Sequence, residues 1–289
     1  MGARLLAAVT LACIAAGCGQ GAAAAPAGPA AVTVTVTRDY GAATLSAGRE
    51  APGQSALNAL RRLAHVGTSY GGRFVESIGG LSGDRSAGYD WLYFVNGIAP
   101  DQGAADIELH PGDHEWWDRR YWRDLVQTPI AVGAWPEPFV HGYDGHRHAV
   151  SVTGLGCSRL LAASLRREGA HIVPGAAAYR VLVETFAQVG SALADWRGKG
   201  LTVSLQNGRV MVYHGAGGLS AATDAHALVA GYQPPGAPGS AVIVVVAGDD
   251  QSSACTAAAR LARDPKMLAG RYAVALDANG GILDAGGRS

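Results

Sequence analysis

Aromatic side chains alternate along Tyr89-Asp-Trp-Leu-Tyr-Phe-Val95, and Asn96-Gly97 follows at once. A period of two puts Trp91, Tyr93 and Val95 on one strand face and Leu92 and Phe94 on the other. Asn-Gly tolerates positive φ, so the strand ends in a tight turn. A glycine-rich excursion, Gly103-Ala-Ala-Asp106, leads to Gly112-Asp113 and a second aromatic strand from His114 to Tyr121. One face of each strand must be core, so at least half of these rings pack. The remainder, beside the excursions Ser82–Tyr89 and Ile98–Asp106, are candidates for a binding surface.

The 289 residues allow one or two domains. Hydrophobic residues make up 48% and charged residues 16%, enough apolar material for packed cores. Twenty-three basic and 23 acidic residues cancel, and no run of like charge appears. That argues against nucleic acid, whose phosphates need a basic footprint.

Met1 to Cys18 reads as an export signal: Arg4, an apolar run from Leu5 to Ala16, then Gly17-Cys18. Small residues before a cysteine resemble a bacterial lipobox, which implies Cys18 as the lipidated first residue of a membrane-anchored lipoprotein. Cleavage further on, near Ala25 or Ala31, is the competing reading and implies a secreted protein. Residues 19–31, rich in Ala, Gly and Pro, form a flexible tether.

Residues 32–122 form the first domain. Val32, Val34 and Val36 alternate with threonines as a half-buried strand, and Ala42 to Ala47 returns as its hairpin partner. Ser55 caps a helix that turns Leu57, Leu60 and Leu63 inward and Arg61 and Arg62 to water. Strands at Phe74–Ile78, Tyr89–Val95 and His114–Tyr121 follow. The segments Ala56 to Leu60, Trp91 to Gly97, Gly103 to Asp106, and Gly112-Asp113 before Trp116 and Trp117 resemble the transcobalamin-like C-terminal domain family, a bacterial domain of unknown function. The resemblance implies a β-grasp fold and a role covering one face of a corrinoid. Cobalamin is thus a candidate ligand, with no cofactor required. The candidate ligand contacts are Tyr89, Trp91, Tyr93, Asn96, Asp106, Trp116 and Trp117. Turn chemistry is the competing reading of Asn96, and packing that of the rings.

Residues 123–148 read as a connector, with Pro136 and Pro138 holding an extended segment around Glu137. His110, His114, His141, His146 and His148 cluster nearby, but their spacing matches no zinc motif, so no metal site is assigned. Residues 149–289 alternate strands and helices as an α/β domain. Expected strands are Ala149–Val152, His171–Val173, Arg180–Phe186 and the two-sided apolar run Ala241–Ala247. Asn207-Gly208 joins the hairpin Leu201–Leu205 and Val210–Tyr213, and Asn279-Gly280-Gly281 marks a terminal one. Helices are expected at Ser158–Arg167, Ala221–Ala230 and Ser253–Arg263, the last capped by Ser252 or Ser253. The fold class is therefore an α+β β-grasp-like domain followed by an α/β domain.

Cys157 and Cys255 each follow a strand-like run and open a helix. Neighbouring parallel strands would set them side by side as a disulfide; two separately buried thiols are the other reading. The sequence as a whole reads as an extracytoplasmic lipoprotein that binds a small ligand and delivers it to a membrane transporter. The alternatives are a surface interaction module and an exported enzyme using the strand edge Asp249–Ser253.

Overall fold

The computed structural model describes residues 30–286. The export signal, Cys18 and residues 19–29 of the tether lie outside the described residues. The chain is mixed α/β and strand-rich, with few helices.

The first half runs β1 (Val32–Arg38), β2 (Ala43–Glu50), β3 (Gln54–Ser55), α1 (Ala56–Leu63), β4 (Val66–Ser69) and β5 (Phe74–Ile78). It continues through β6 (Leu81–Ser82), β7 (Tyr89–Val95), β8 (Glu108–Leu109) and β9 (His114–Tyr121). Its main sheet has the order β2-β1-β9-β7. β1 is parallel to β9, and the two outer pairings are antiparallel. Ser55 caps α1 by accepting the Asn58 N–H. Leu57 and Leu60 bury themselves over the Val32, Val34 and Val36 face, and Arg61 and Arg62 stay exposed, as the 3.6-residue period requires.

The other face of this sheet is covered too. Phe94 and Trp116 pack with Tyr40 against Tyr272 and Tyr213 from the second half. Tyr272 lies 4.9 Å from the Trp116 ring and 5.4 Å from Phe94. Gly133 meets the second half so closely that a Cβ there would stand 2.7 Å from the Arg271 nitrogen.

The second half runs β10 (Val150–Gly154), α2 (Ser158–Arg167), β11 (Tyr179–Thr185), α3 (Phe186–Ala194) and α4 (Trp196–Lys199). Then come β12 (Val203–Gln206), β13 (Arg209–Tyr213), β14 (Leu219–Ala221), β15 (Ala227–Tyr232) and β16 (Val242–Gly248). α5 (Gln251–Arg263), β17 (Val274–Leu276) and β18 (Ile282–Ala285) finish it. Six strands form one sheet, β10-β11-β16-β15-β17-β18, parallel over its first three strands and antiparallel beyond. α2 and α5 pack together with β10, β11 and β16, while α3 packs on β12 within a separate cluster. One hydrophobic core runs from Val34 and Trp117 through Trp135 and Phe139 to Val181 and Val244, so the two halves share it.

Several expectations change. The run Ala221–Ala230 does not form the expected helix. Its second part is instead β15, wholly buried between β16 and β17. Cross-strand packing there outweighs local helix propensity. Phe186 does not end a strand; it opens α3, whose capping box joins Thr185 and Gln188. His171–Val173 makes only a bridge from Ile172 to Val150. The Trp135–Pro138 segment turns rather than extends. Asp250, not Ser252 or Ser253, caps α5 by accepting the Ser253 N–H at 2.7 Å.

Cys157 and Cys255 form a disulfide, with Cα atoms 5.6 Å apart. The geometry differs from that expected, because β11 separates β10 from β16. The bridge instead ties the N-cap residue of α2 to the second turn of α5, across two helices packed side by side.

Polar groups are also buried in the aromatic sheet. Glu115 is fully buried; one carboxylate oxygen accepts the Trp117 indole N–H and the other has no partner among the described residues. Burial pushes this carboxyl up to about 8, against the Trp117 hydrogen bond. A raised folded-state pKa favours the protonated fold, so its contribution is full below the unfolded value, about 4.3, and is lost as pH rises through the folded one. Burial holds neighbouring His114 down to about 4. Its contribution is lost on acidification instead, and above about pH 7 it is neutral in both states. Stability should therefore fall by about 1 kcal/mol between pH 7 and 8, and Glu115→Gln should flatten that slope. Urea unfolding of both proteins across this range checks it; an unchanged slope in the variant would rule Glu115 out as its source.

Candidate ligand cleft

β7 is an edge strand, and the way it ends opens a cleft. Asn96 and Gly97 take φ of 53° and 77°, which closes a two-residue turn with reciprocal Val95–Ile98 hydrogen bonds of 2.9 Å. A Cβ on Gly97 would stand 2.5 Å from the Ala131 carbonyl oxygen. Beyond Ile98 the register of this turn would bring Pro100 to Tyr93, but no bridge forms between them among the described residues. Proline has no N–H, so the ladder cannot continue. The returning chain pairs on its other side instead. Ala99 N–H donates to the Pro129 carbonyl at 2.9 Å, and Ala131 N–H to that of Gly97 at 2.8 Å.

The third wall comes from the β15–β16 loop. Gln233 holds it: its amide donates to Gly236 and Ala237 carbonyls at 3.1 and 2.9 Å and accepts the Gly239 N–H at 3.1 Å. The three walls frame a half-open cleft of about 480 Å³, within the range of small-molecule sites. Leu92, Phe94 and Val126 supply apolar surface, and Pro100, Pro129, Pro234, Pro235 and Pro238 shape the walls. Asp101 is the sole charged residue of the lining among the described residues. Thr128 is 3% exposed, and its Oγ1 has no hydrogen-bond partner among the described residues.

Of the residues singled out from sequence, Tyr93 lines this cleft. Its ring stacks on Trp117 at 4.7 Å and its hydroxyl donates to the Gln102 carbonyl at 2.6 Å. Trp117 itself is 2% exposed, and Trp91 and Trp116 are 5% and 1% exposed. Trp91 donates to the Leu81 carbonyl at 3.1 Å, and Trp116 to Thr37 Oγ1 at 2.8 Å. Asn96 is buried, donating to Asp113 and to the Gly142 carbonyl and accepting the His114 N–H at 2.8 Å. Asp106 is exposed, away from the cleft. Tyr89 lies elsewhere, edge-on to Tyr121 and beneath Arg119, beside a hollow of about 60 Å³. Val126, Thr128 and the Gln233–Pro238 loop carried no functional signal in sequence, because they reach the cleft only through tertiary packing.

The histidines are placed separately. His141 bonds Glu137 at 2.6 Å, a contact that raises its pKa, and His148 stacks on Tyr179. Among the described residues no group of three or more His, Cys, Asp or Glu side chains could hold a metal ion. At the carboxyl end of β16, His226 Nδ1 lies 2.7 Å from Asp249. Desolvation pushes the Asp249 carboxyl up, but hydrogen bonds from Ser253 and His226 outweigh it and hold it below the usual range.

A family model described as domain of unknown function DUF4430 matches residues 53–119. That span contains α1, β7 and most of β9 but neither β1 nor β2. A crystal structure from Ruminococcus gnavus ATCC 29149, described as a candidate metal-binding protein, is similar to part of the chain. The two are 18% identical, and the match covers 32% of this chain and 97% of that one with a TM-score of 0.27. At that score the likeness carries no argument. None of the curated proteins matches.

Proposed function

We propose that the protein is an exported lipoprotein, anchored through Cys18, that binds a small ligand in the cleft beside β7 and passes it to a membrane transporter. The observation that carries this reading is the three-walled cleft of about 480 Å³, whose lining is more apolar than polar. The sheet order β2-β1-β9-β7 with α1 across it supports a β-grasp reading of the first half. That reading in turn supports the likeness to the transcobalamin C-terminal domain, which puts a corrinoid forward as ligand. A corrinoid is larger than the cavity, so only its periphery would enter.

Titration of the mature protein with cobalamin tests the corrinoid, read by tryptophan fluorescence, since Trp117 stacks on the cleft residue Tyr93. A saturable change at micromolar ligand, abolished by Ala99→Trp, is expected. No saturable change removes the corrinoid, and a change untouched by Ala99→Trp moves the site elsewhere. Labelled palmitate incorporated by the wild type and not by Cys18→Ser would test the anchor; equal labelling would refute it.

A further inference from the structure

The main chain of β7 is not fully used. Asn96 N–H donates to the His114 carbonyl at 2.8 Å, and Trp122 N–H to that of Gly88 at 2.9 Å. In an antiparallel ladder these bonds alternate, so the even-numbered residues of β7 face β9 and Tyr89, Trp91, Tyr93 and Val95 turn their N–H and C=O groups outward. Asp84 satisfies both groups of Tyr89, and Ile98 both groups of Val95. Asp90 Oδ1 accepts the Trp91 N–H at 2.9 Å. The N–H and C=O of Tyr93 have no partner among the described residues. Pro100, the next residue in register, has no N–H to supply.

This unpaired dyad belongs to a residue of the cleft wall, between the inward-facing Leu92 and Phe94. The Tyr93 side chain is committed to Trp117 and Gln102, so its main chain is what remains for a ligand. Thr128 belongs to the same lining, with its hydroxyl buried behind the surface. Asp101 is that lining's one charge, and no Lys, Arg or His balances it. A phosphate or carboxylate ligand would therefore meet repulsion and no cation, whereas an ammonium or guanidinium finds a partner. Edge-strand amides paired with an extended chain are a recurrent way of holding peptides. Five prolines keep the walls rigid and bring no competing N–H donor of their own.

We infer that the cleft binds a short extended peptide, one residue of which pairs its N–H and C=O with Tyr93 while a lysine or arginine side chain reaches Asp101. The inference rests on the cleft being the ligand site and names the class of ligand that enters it.

Capped Val-Xaa-Val tripeptides, with Xaa as Lys, Arg, Ala or Glu, provide the probe. Binding is read on the mature protein from the amide resonances of Tyr93 and Thr128. The Lys and Arg peptides should shift both resonances saturably. N-methylation of the central residue should weaken binding about tenfold, as should Glu in place of Lys at low salt. Asp101→Asn should make the Lys and Ala peptides equal. Binding indifferent to N-methylation, or equal for Lys and Glu, overturns the inference. If no tripeptide binds and cobalamin shifts the same resonances, the peptide class falls and the cleft reading stands. If neither probe shifts them, both fall.

Discussion

Replacing Cys157 and Cys255 together by serine should lower stability by roughly 4–5 kcal/mol. The bridge closes a loop of sequence separation 98, and the chain-entropy cost of opening such a loop in the unfolded state has about that size. Natural domains are stable by about 5–15 kcal/mol, so the loss would be a large share of the total. For a chain of this size the thermal midpoint should drop by roughly 10 °C or more. Reductant should reproduce the drop in the wild type and do nothing to the double serine variant. A fall of less than about 1 kcal/mol would mean that the packed helices α2 and α5 already hold that loop closed. The bridge also constrains where the protein can work at full stability, since such bonds persist in oxidising compartments.

Asp118→Ala should cost a comparable amount, about 3–5 kcal/mol, by a different route. Asp118 is fully buried and accepts from Thr37 Oγ1 at 2.6 Å, the Gly41 N–H at 3.1 Å and the Tyr272 hydroxyl at 3.0 Å. Burial raises its pKa, and those hydrogen bonds together with Arg120 oppose the rise. Arg120 is equally buried; it donates to the Leu125 carbonyl at 2.7 Å and to the Tyr40 hydroxyl at 3.2 Å. Removing the carboxylate leaves three donors and a buried guanidinium without their counter-charge. Tyr272 comes from the second half, so the damage falls on the joint between halves. Tyr272→Phe removes a single hydrogen bond to a charged group and should cost about 1.5–3 kcal/mol. Urea unfolding of both variants checks the ranking. Equal costs would show that the Tyr272 bond alone accounts for the effect of Asp118.

The parts of this structure legible in the sequence are those decided within a few residues. The alternating valines and threonines of β1, the Ser55 cap, and the Asn207-Gly208 hairpin with its Val203–Val212 pairing all have local causes. The Thr185–Gln188 capping box was equally local and equally visible, though the preceding apolar run hid it. β15 was not legible, because its strand state depends on the neighbours that flank it in the sheet. The cleft was half legible. Tyr93 and the Ile98–Asp106 excursion stood out, but nothing near Thr128 or Pro235 shows that the chain brings them to the same place. The tryptophans mislead for a related reason. An alternating strand shows that one face is core, and it cannot show that the other face is covered by a distant tyrosine such as Tyr272.

The place of β1 has a mechanical consequence. It lies inside its sheet, antiparallel to β2 on one side and parallel to β9 on the other. A pull directed along the strand would load both ladders in shear, so that their hydrogen bonds break together rather than one by one. The buried valines would have to slide past α1 in the same event.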